Sequence, residues 1–307
     1  MFQFFANIFG YLLNFINNLV GNYGLAIILF TVVIKLIMLP ISIKQQKSMK
    51  KNAKIQKEIK VLQFKYKKDP EKLNKEMMEL YKKEKMSPFS GCFTAIIQFI
   101  LLISIFNMVR LPLTYITKVS HDDINNYVNV MKENNIQVSQ YYEIDIIREK
   151  QKLQELLPED QILKNINFNM QFLGLDLGKI PQQNLKDWTV YIIPLLYILS
   201  TYISMKLTNT MQKKDDEKYE NKDVIDITDK QDNQNMPDEK IDKKEQEKDD
   251  MEATMKQYNS MMAWMMPILA VSVSLAAPLG LALYWLVNNI LMIVERLVLD
   301  KIINDKD

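Results

Sequence analysis

Apolar and polar positions fall into long alternating blocks along this chain. Residues 1–22 carry no charged side chain. Within them Gln3, Asn7, Asn14, Asn18 and Asn22 recur at helical spacing, and Phe5, Phe9, Leu12, Leu13, Ile16 and Leu19 fill the other side. That pattern predicts an amphipathic helix lying in a membrane interface, in preference to a poor transmembrane span. Residues 23–44 are an apolar run long enough, at ~1.5 Å per residue, to cross a ~30 Å bilayer core. Pro40 lies near its end, where the missing N–H weakens the last turn. Further apolar spans are predicted over 87–110 and 188–207. Residues 257–294 hold no charge and are too long for one crossing. The break at Ala277-Pro278-Leu279-Gly280 divides them into a short fourth helix, Ser260–Ala276, and a fifth, Leu281–Leu299. The fold class expected is an all-α integral membrane protein with five core transmembrane helices.

The polar blocks set the topology. Residues 44–86 hold 15 lysines against six acids, a net +9. Residues 111–187 hold eight basic and 11 acidic residues, a net −3. The positive-inside rule makes 45–86 cytoplasmic and 111–187 extracytoplasmic, with the N-terminus outside and the C-terminus inside. Ile55, Ile59, Leu62 and Tyr66, and then Leu73, Met77 and Leu80 after a Lys68-Asp69-Pro70 break, step by three and four. They predict two helices folded into an antiparallel hairpin. Its lysines face water, anionic headgroups or an acidic partner. The stretch 122–157 predicts one or two surface helices, and FNMQFLGLDLG at 168–178 an apolar segment on the membrane surface. The tract 208–257 is charge-dense and predicted disordered and cytoplasmic; 300–307 form a short cytoplasmic tail.

One residue breaks the first span. Lys35 stands between Val33-Ile34 and Leu36-Ile37, where a lysine costs roughly 2.5–3.5 kcal/mol on insertion scales, so it is a candidate functional residue. Two readings compete: a charge held in a polar intramembrane pocket, or a side chain snorkelling to the interface. Lys44 lies nine residues on, ~13 Å along the helix, too far for the side chain of an upright helix. The charge-free stretch to residue 294 leads to the expectation that no group of the protein neutralises Lys35. In the second span Gln98 is either a helix–helix hydrogen bond or a groove-facing group.

Other chemistry is thinly represented. The only histidine is His121 and the only cysteine Cys92. That leaves no zinc ligand set, no disulfide and no suggestive catalytic unit. The seven glycines are scattered and form no phosphate-binding loop. The chain reads as a non-enzyme without cofactor or metal, and without a direct nucleic-acid site.

Several segments together resemble the YidC family of membrane protein insertases. They are YGLAIILFTVVIKLIMLPISIKQ, SPFSGCF with the following IQ, FLGLDLG, and MMPIL with APLGLALYWLVNNI. The resemblance covers roughly residues 22–110, 168–211 and 255–299, and is tightest over Pro278–Trp285 with Asn288-Asn289. It implies five helices around a polar groove that opens to the cytoplasm and to lipid and is closed outside. It implies Lys35 as the groove's positive charge and Gln98 and Trp285 as groove-lining residues, with no catalytic residue. It also implies nascent membrane proteins as partners in a bacterial plasma membrane, the Sec translocon and ribosome as candidate partners, and a monomer as sufficient. Three features depart from the pattern. Lysine replaces the usual arginine and loses its planar fork. Ile100 stands where relatives often carry proline. The short tail 300–307 is unlike the long basic tail of ribosome-binding relatives. The functional expectation is an insertase that moves short hydrophilic tails of nascent chains. The alternatives are an assembly scaffold without translocation and an ion or solute transporter. A transporter would need a second intramembrane charge or an inverted repeat.

Overall fold

The computed structural model of the chain describes residues 2–66, 69–84, 90–228 and 271–304; within these, some side chains, among them Gln98 and residues 212–228, lie outside the description. The described chain is mainly helical. It divides into two compact units: Met1–Pro40, Ala95–Tyr202 and Val271–Asp300 in the first, Ile41–Thr94, Ile203–Ala270 and Lys301–Asp307 in the second.

In the first unit, α1 (Phe2–Val20) buries Ala6, Phe9, Leu13 and Ile16. Its Gly10 lies so close to α5 (Pro112–Tyr115) that an added Cβ would sit 1.9 Å from the Tyr115 carbonyl oxygen. The opposite face is not the clean polar stripe expected. Phe4, Ile8, Tyr11, Phe15 and Leu19 are exposed at steps of three and four. Asn17 is buried beside the Leu13 and Ile16 face and donates to the Asn167 carbonyl at 3.5 Å.

Helix α2 (Tyr23–Lys65) runs unbroken through Pro40, where the sequence suggested an end. The division between the two units falls at that proline, after Pro40 and before Ile41. A proline inside a helix removes one backbone bond without forcing a stop when the flanking turns hold. Helix α4 (Ser90–Arg110) lies within the stretch 87–110 where the sequence predicts a second span. Helices α6 (His121–Glu133), α7 (Tyr142–Arg148), α8 (Lys150–Leu156) and α9 (Gln161–Asn165) make the polar segment a folded subdomain. Ile124, Tyr127, Met131, Ile146 and Leu153 are its core. Glu143 is its buried acid. It accepts from the Thr114 amide at 3.0 Å and the Thr114 hydroxyl at 2.6 Å, which satisfies the free start of α5. Burial pushes its carboxyl pKa up, partly offset by the Thr114 bonds and His121. The apolar segment 168–178 contains a small antiparallel hairpin, β1 (Gln171–Phe172) with β2 (Leu175–Asp176), a departure from an all-α chain.

Helix α10 (Ile192–Thr228) extends well into the tract expected to be disordered. The rest of that tract and most of the expected fourth span lie outside the described residues; residues 271–276 of that span are helical. Helix α11 (Leu279–Asn304) starts just after Pro278. Among the described residues, three helical stretches are long and apolar enough to cross a membrane: Tyr23–Ser48, Trp188–Met211 and Leu279–Ile302. The apolar part of α4 among the described residues, Phe99–Arg110, is shorter.

In the second unit, Ile55 and Ile59 of α2 and Leu80 of α3 (Pro70–Lys83) form a small core, with Leu62, Met77 and Tyr81 against it. Asp69 caps α3 by accepting from the Lys72 amide, with Pro70 at the first position. Lys51 pairs with Glu84, reaching both its carbonyl and its carboxylate.

Candidate functional site

The backbone fixes one end of the two helices that carry the site. The first N–H groups of a helix have no partner inside it. In α2 the Tyr23 amide donates to the Asn169 carbonyl at 3.0 Å, and the Leu25 amide to the Asn22 side-chain oxygen at 3.1 Å. Asn22 in turn donates to the Gln171 carbonyl at 2.7 Å. In α11 the Leu279 and Gly280 amides donate to the Lys179 and Leu177 carbonyls, at 2.9 and 2.8 Å. One segment, 169–179, therefore closes the N-terminal ends of both helices. Close packing helps: a Cβ on Gly24 would lie 2.3 Å from Phe172 Cγ, and one on Gly280 would touch Tyr23 and Ile27. Lys179 also donates to Asp187 at 2.7 Å, just ahead of α10. That bond and those from Thr189 hold the Asp187 carboxyl down, to about 2.

Farther along, α2 buries Thr31, whose hydroxyl donates to the Ile27 carbonyl at 2.6 Å. One turn on, Lys35 Nζ donates to Glu295 Oε2 of α11 at 3.2 Å. The two side chains are 22% and 14% exposed, so the pair is largely withdrawn from solvent. Both residues lie inside stretches long and apolar enough to cross a membrane. The expectation that no group of the protein neutralises Lys35 is corrected here. Glu295 follows directly on the charge-free stretch ending at residue 294, and falls within the predicted fifth span. The sequence signal was present in VERLVLD; what hid it was counting from the charge-free run rather than from the helix.

A second polar contact joins α10 and α11. Asn289 is buried and donates to Ser200 Oγ at 2.9 Å and Thr201 Oγ1 at 3.1 Å. Both hydroxyls donate to the Tyr197 carbonyl, at 2.8 Å each. Trp285 stands one turn before Asn289, half-buried, its ring 6.1 Å from that of Tyr197. Ten residues, about 15 Å of helix, separate Trp285 from Glu295, so the indole and the ion pair occupy different levels. Gln98 is on α4, and its side chain lies outside the described ones. The structure thus couples Lys35 with Glu295 and Trp285 with Tyr197, and brings in Glu295 and Asn289 as site residues the sequence reading missed. Around them Leu36, Ile37, Leu195, Leu199 and Leu297 are exposed, an apolar surface of the kind that meets lipid tails. Among the described residues no cluster of His, Cys, Asp and Glu is placed to hold a metal ion.

The sequence model of the 60Kd inner membrane protein family matches residues 15–306. A Caldanaerobacter subterraneus protein named membrane protein insertase YidC is 48% identical over 101 residues, 33% of this chain and 49% of that protein. A protein of the same name from Francisella tularensis subsp. novicida is 50% identical over 106 residues, 34% of this chain and 19% of that protein. The matched stretches thus span about half or less of these curated relatives. With the family match running nearly end to end, and with apolar helices long enough to cross a membrane, this chain belongs to the 60Kd inner membrane protein family and is membrane-embedded.

Proposed function

We propose that this chain is a membrane protein insertase. It moves short hydrophilic tails of nascent membrane proteins through a polar groove inside the bilayer and releases their apolar spans into lipid. The observation that carries this reading is a lysine, Lys35, held within a membrane-spanning helix of a chain whose relatives bear the insertase name. Lys35, Gln98 and Trp285 line the groove in this reading. A fixed positive charge and buried hydroxyls lower the cost of bringing an acidic or polar tail out of water. The apolar span then enters lipid by hydrophobic transfer. The setting is a bacterial plasma membrane, N-terminus outside and C-terminus cytoplasmic, with nascent membrane proteins as partners and the Sec translocon and the ribosome as candidate ones.

The test is reconstitution of the full chain in vesicles with a single-span reporter carrying a short acidic tail. Wild type protects the tail from added protease, and Lys35→Ala loses that protection. Unimpaired insertion of every acidic reporter by Lys35→Ala removes the charge from the mechanism.

Two other readings each have one supporting observation. The bonded face of Asn289, Ser200 and Thr201 offers a fixed helix–helix surface, as an assembly scaffold would. Photocrosslinking from Gln98 only to fully inserted partners favours that scaffold. Glu295 supplies the second intramembrane charge a transporter requires. Ion conductance in the same vesicles favours that class.

A further inference from the structure

The groove of the insertase reading carries no net charge from Lys35 at rest, because Glu295 sits on it. We propose that Glu295 is a specificity-determining counter-ion: an acidic group of a transiting chain gains Lys35 only by displacing the Glu295 carboxylate. This rests on the insertase reading and deepens it, by stating which tails the groove favours.

Three observations carry it. The pair is one contact at 3.2 Å between side chains from two different helices, so it opens by side-chain rotation without unwinding either. It is only partly exposed, so water competes weakly and the two charges feel each other strongly. Lysine presents three N–H donors, and Glu295 Oε2 takes one. An arriving carboxylate therefore binds beside Glu295 before replacing it. The like charges then repel, and one of the two leaves.

The consequence is a selectivity with two signs. A neutral tail needs no exchange. A tail with one acid swaps one carboxylate for another, with little net gain. A tail with two acids wins, since its second charge raises the local concentration of the first. A basic tail is tolerated because Glu295 offers it a partner. Removing the Glu295 charge unmasks Lys35: single-acid tails gain, and basic tails lose through repulsion by Lys35. A merely structural role for Glu295 moves all tails in the same direction.

The experiment uses the full chain in phosphatidylethanolamine and phosphatidylglycerol vesicles. The single-span reporters carry outer tails with no charge, one Asp, two Asp or one Lys. In Glu295→Gln the one-Asp to neutral insertion ratio should rise about three- to tenfold, the range of polar couplings between helices in membranes. The one-Lys to neutral ratio should fall. Unchanged ratios overturn the counter-ion role. If wild type inserts no reporter at all, the insertase reading fails and this inference falls with it. A second measurement needs no variant. A hydrophobic carbodiimide should join Lys35 to Glu295 in the resting wild-type chain, read by mass spectrometry of the linked peptides. An arrested one-Asp tail should cut that yield to about half that seen with an arrested neutral tail, as a near-even exchange between two carboxylates requires. Equal yields with both tails overturn the proposal.

Discussion

Replacing Lys35 and Glu295 singly and together tests what the pair contributes to stability. At 3.2 Å, with an effective dielectric near 20, their attraction is about 5 kcal/mol. Withdrawing two ions from water costs several kcal/mol each, so the pair comes close to balance against an uncharged replacement. Losing one partner is different, because the other charge stays largely buried at 22% or 14% exposure. Breaking a buried pair costs about 3–5 kcal/mol in soluble proteins. Interhelical polar couplings in membranes average about 0.6 and reach about 1.7 kcal/mol, because the unfolded helices also find partners. Taking the membrane reference as the governing one, Lys35→Met and Glu295→Gln should each cost about 1–1.5 kcal/mol, and the double variant about as much as either single one. The coupling is then about 1–1.5 kcal/mol, above the additivity error of about 0.5. Equilibrium unfolding in mixed micelles measures it. Strictly additive losses would refute the pair as a stabilising unit and leave Lys35 as a charge satisfied by solvent.

Two further expectations follow from the ends of the structure. In Gly24→Ala the new Cβ collides with Phe172 near the base of that ring, at 2.3–2.6 Å. Overpacking of about 1–3 kcal/mol should outweigh the helix-propensity gain of about 1, and adding Phe172→Ala should recover part of the loss in thermal unfolding. Glu143 gives a pH signature: its folded pKa lies above its ordinary 4.5, so the folded chain binds a proton before the unfolded one. Stability therefore falls as pH rises through that window, and wild type should gain on Glu143→Gln as pH is lowered from 7 toward 4.5; a parallel pair of pH–stability curves would contradict the burial argument.

How much was legible in the sequence depended on which groups carry the structure. The spans beginning near Gly24, Trp188 and Leu281 were legible because charge-free length is a direct measure of bilayer crossing. Lys35 was legible because it interrupts such a run. The continuation of α2 through Pro40 was not, since a proline marks an end only on average. The closure by 169–179 was not either. It is made by Asn169, Leu177 and Lys179 carbonyls, and main-chain acceptors leave no mark in side-chain identity. The hairpin at Phe172–Leu175 turns through positive φ at Leu173 and Gly174, and only the glycine hints at it.

In the proposed insertase, the closed end and the ion pair together would constrain how its groove opens. Counted from its capped start, Lys35 stands twelve residues along α2, about 18 Å, and Glu295 sixteen along α11, about 24 Å. With both helices starting at one face of a ~30 Å bilayer core, both residues would lie past its midpoint from the end that segment 169–179 closes. Four backbone or side-chain bonds of 2.7–3.0 Å tie that end, at Tyr23, Asn22, Leu279 and Gly280. Side-chain rotation cannot release the main-chain donors among them. The Lys35–Glu295 contact is a single rotatable link at the other end. In that reading, exchanging one carboxylate for another there leaves the capped end intact, so α2 and α11 would separate on the side of the pair. A disulfide between cysteines at positions 24 and 172, which the structure already brings together, should therefore leave insertion of acidic reporters unchanged. Loss of insertion on oxidation, recovered on reduction, would place the moving end at the side that segment 169–179 closes.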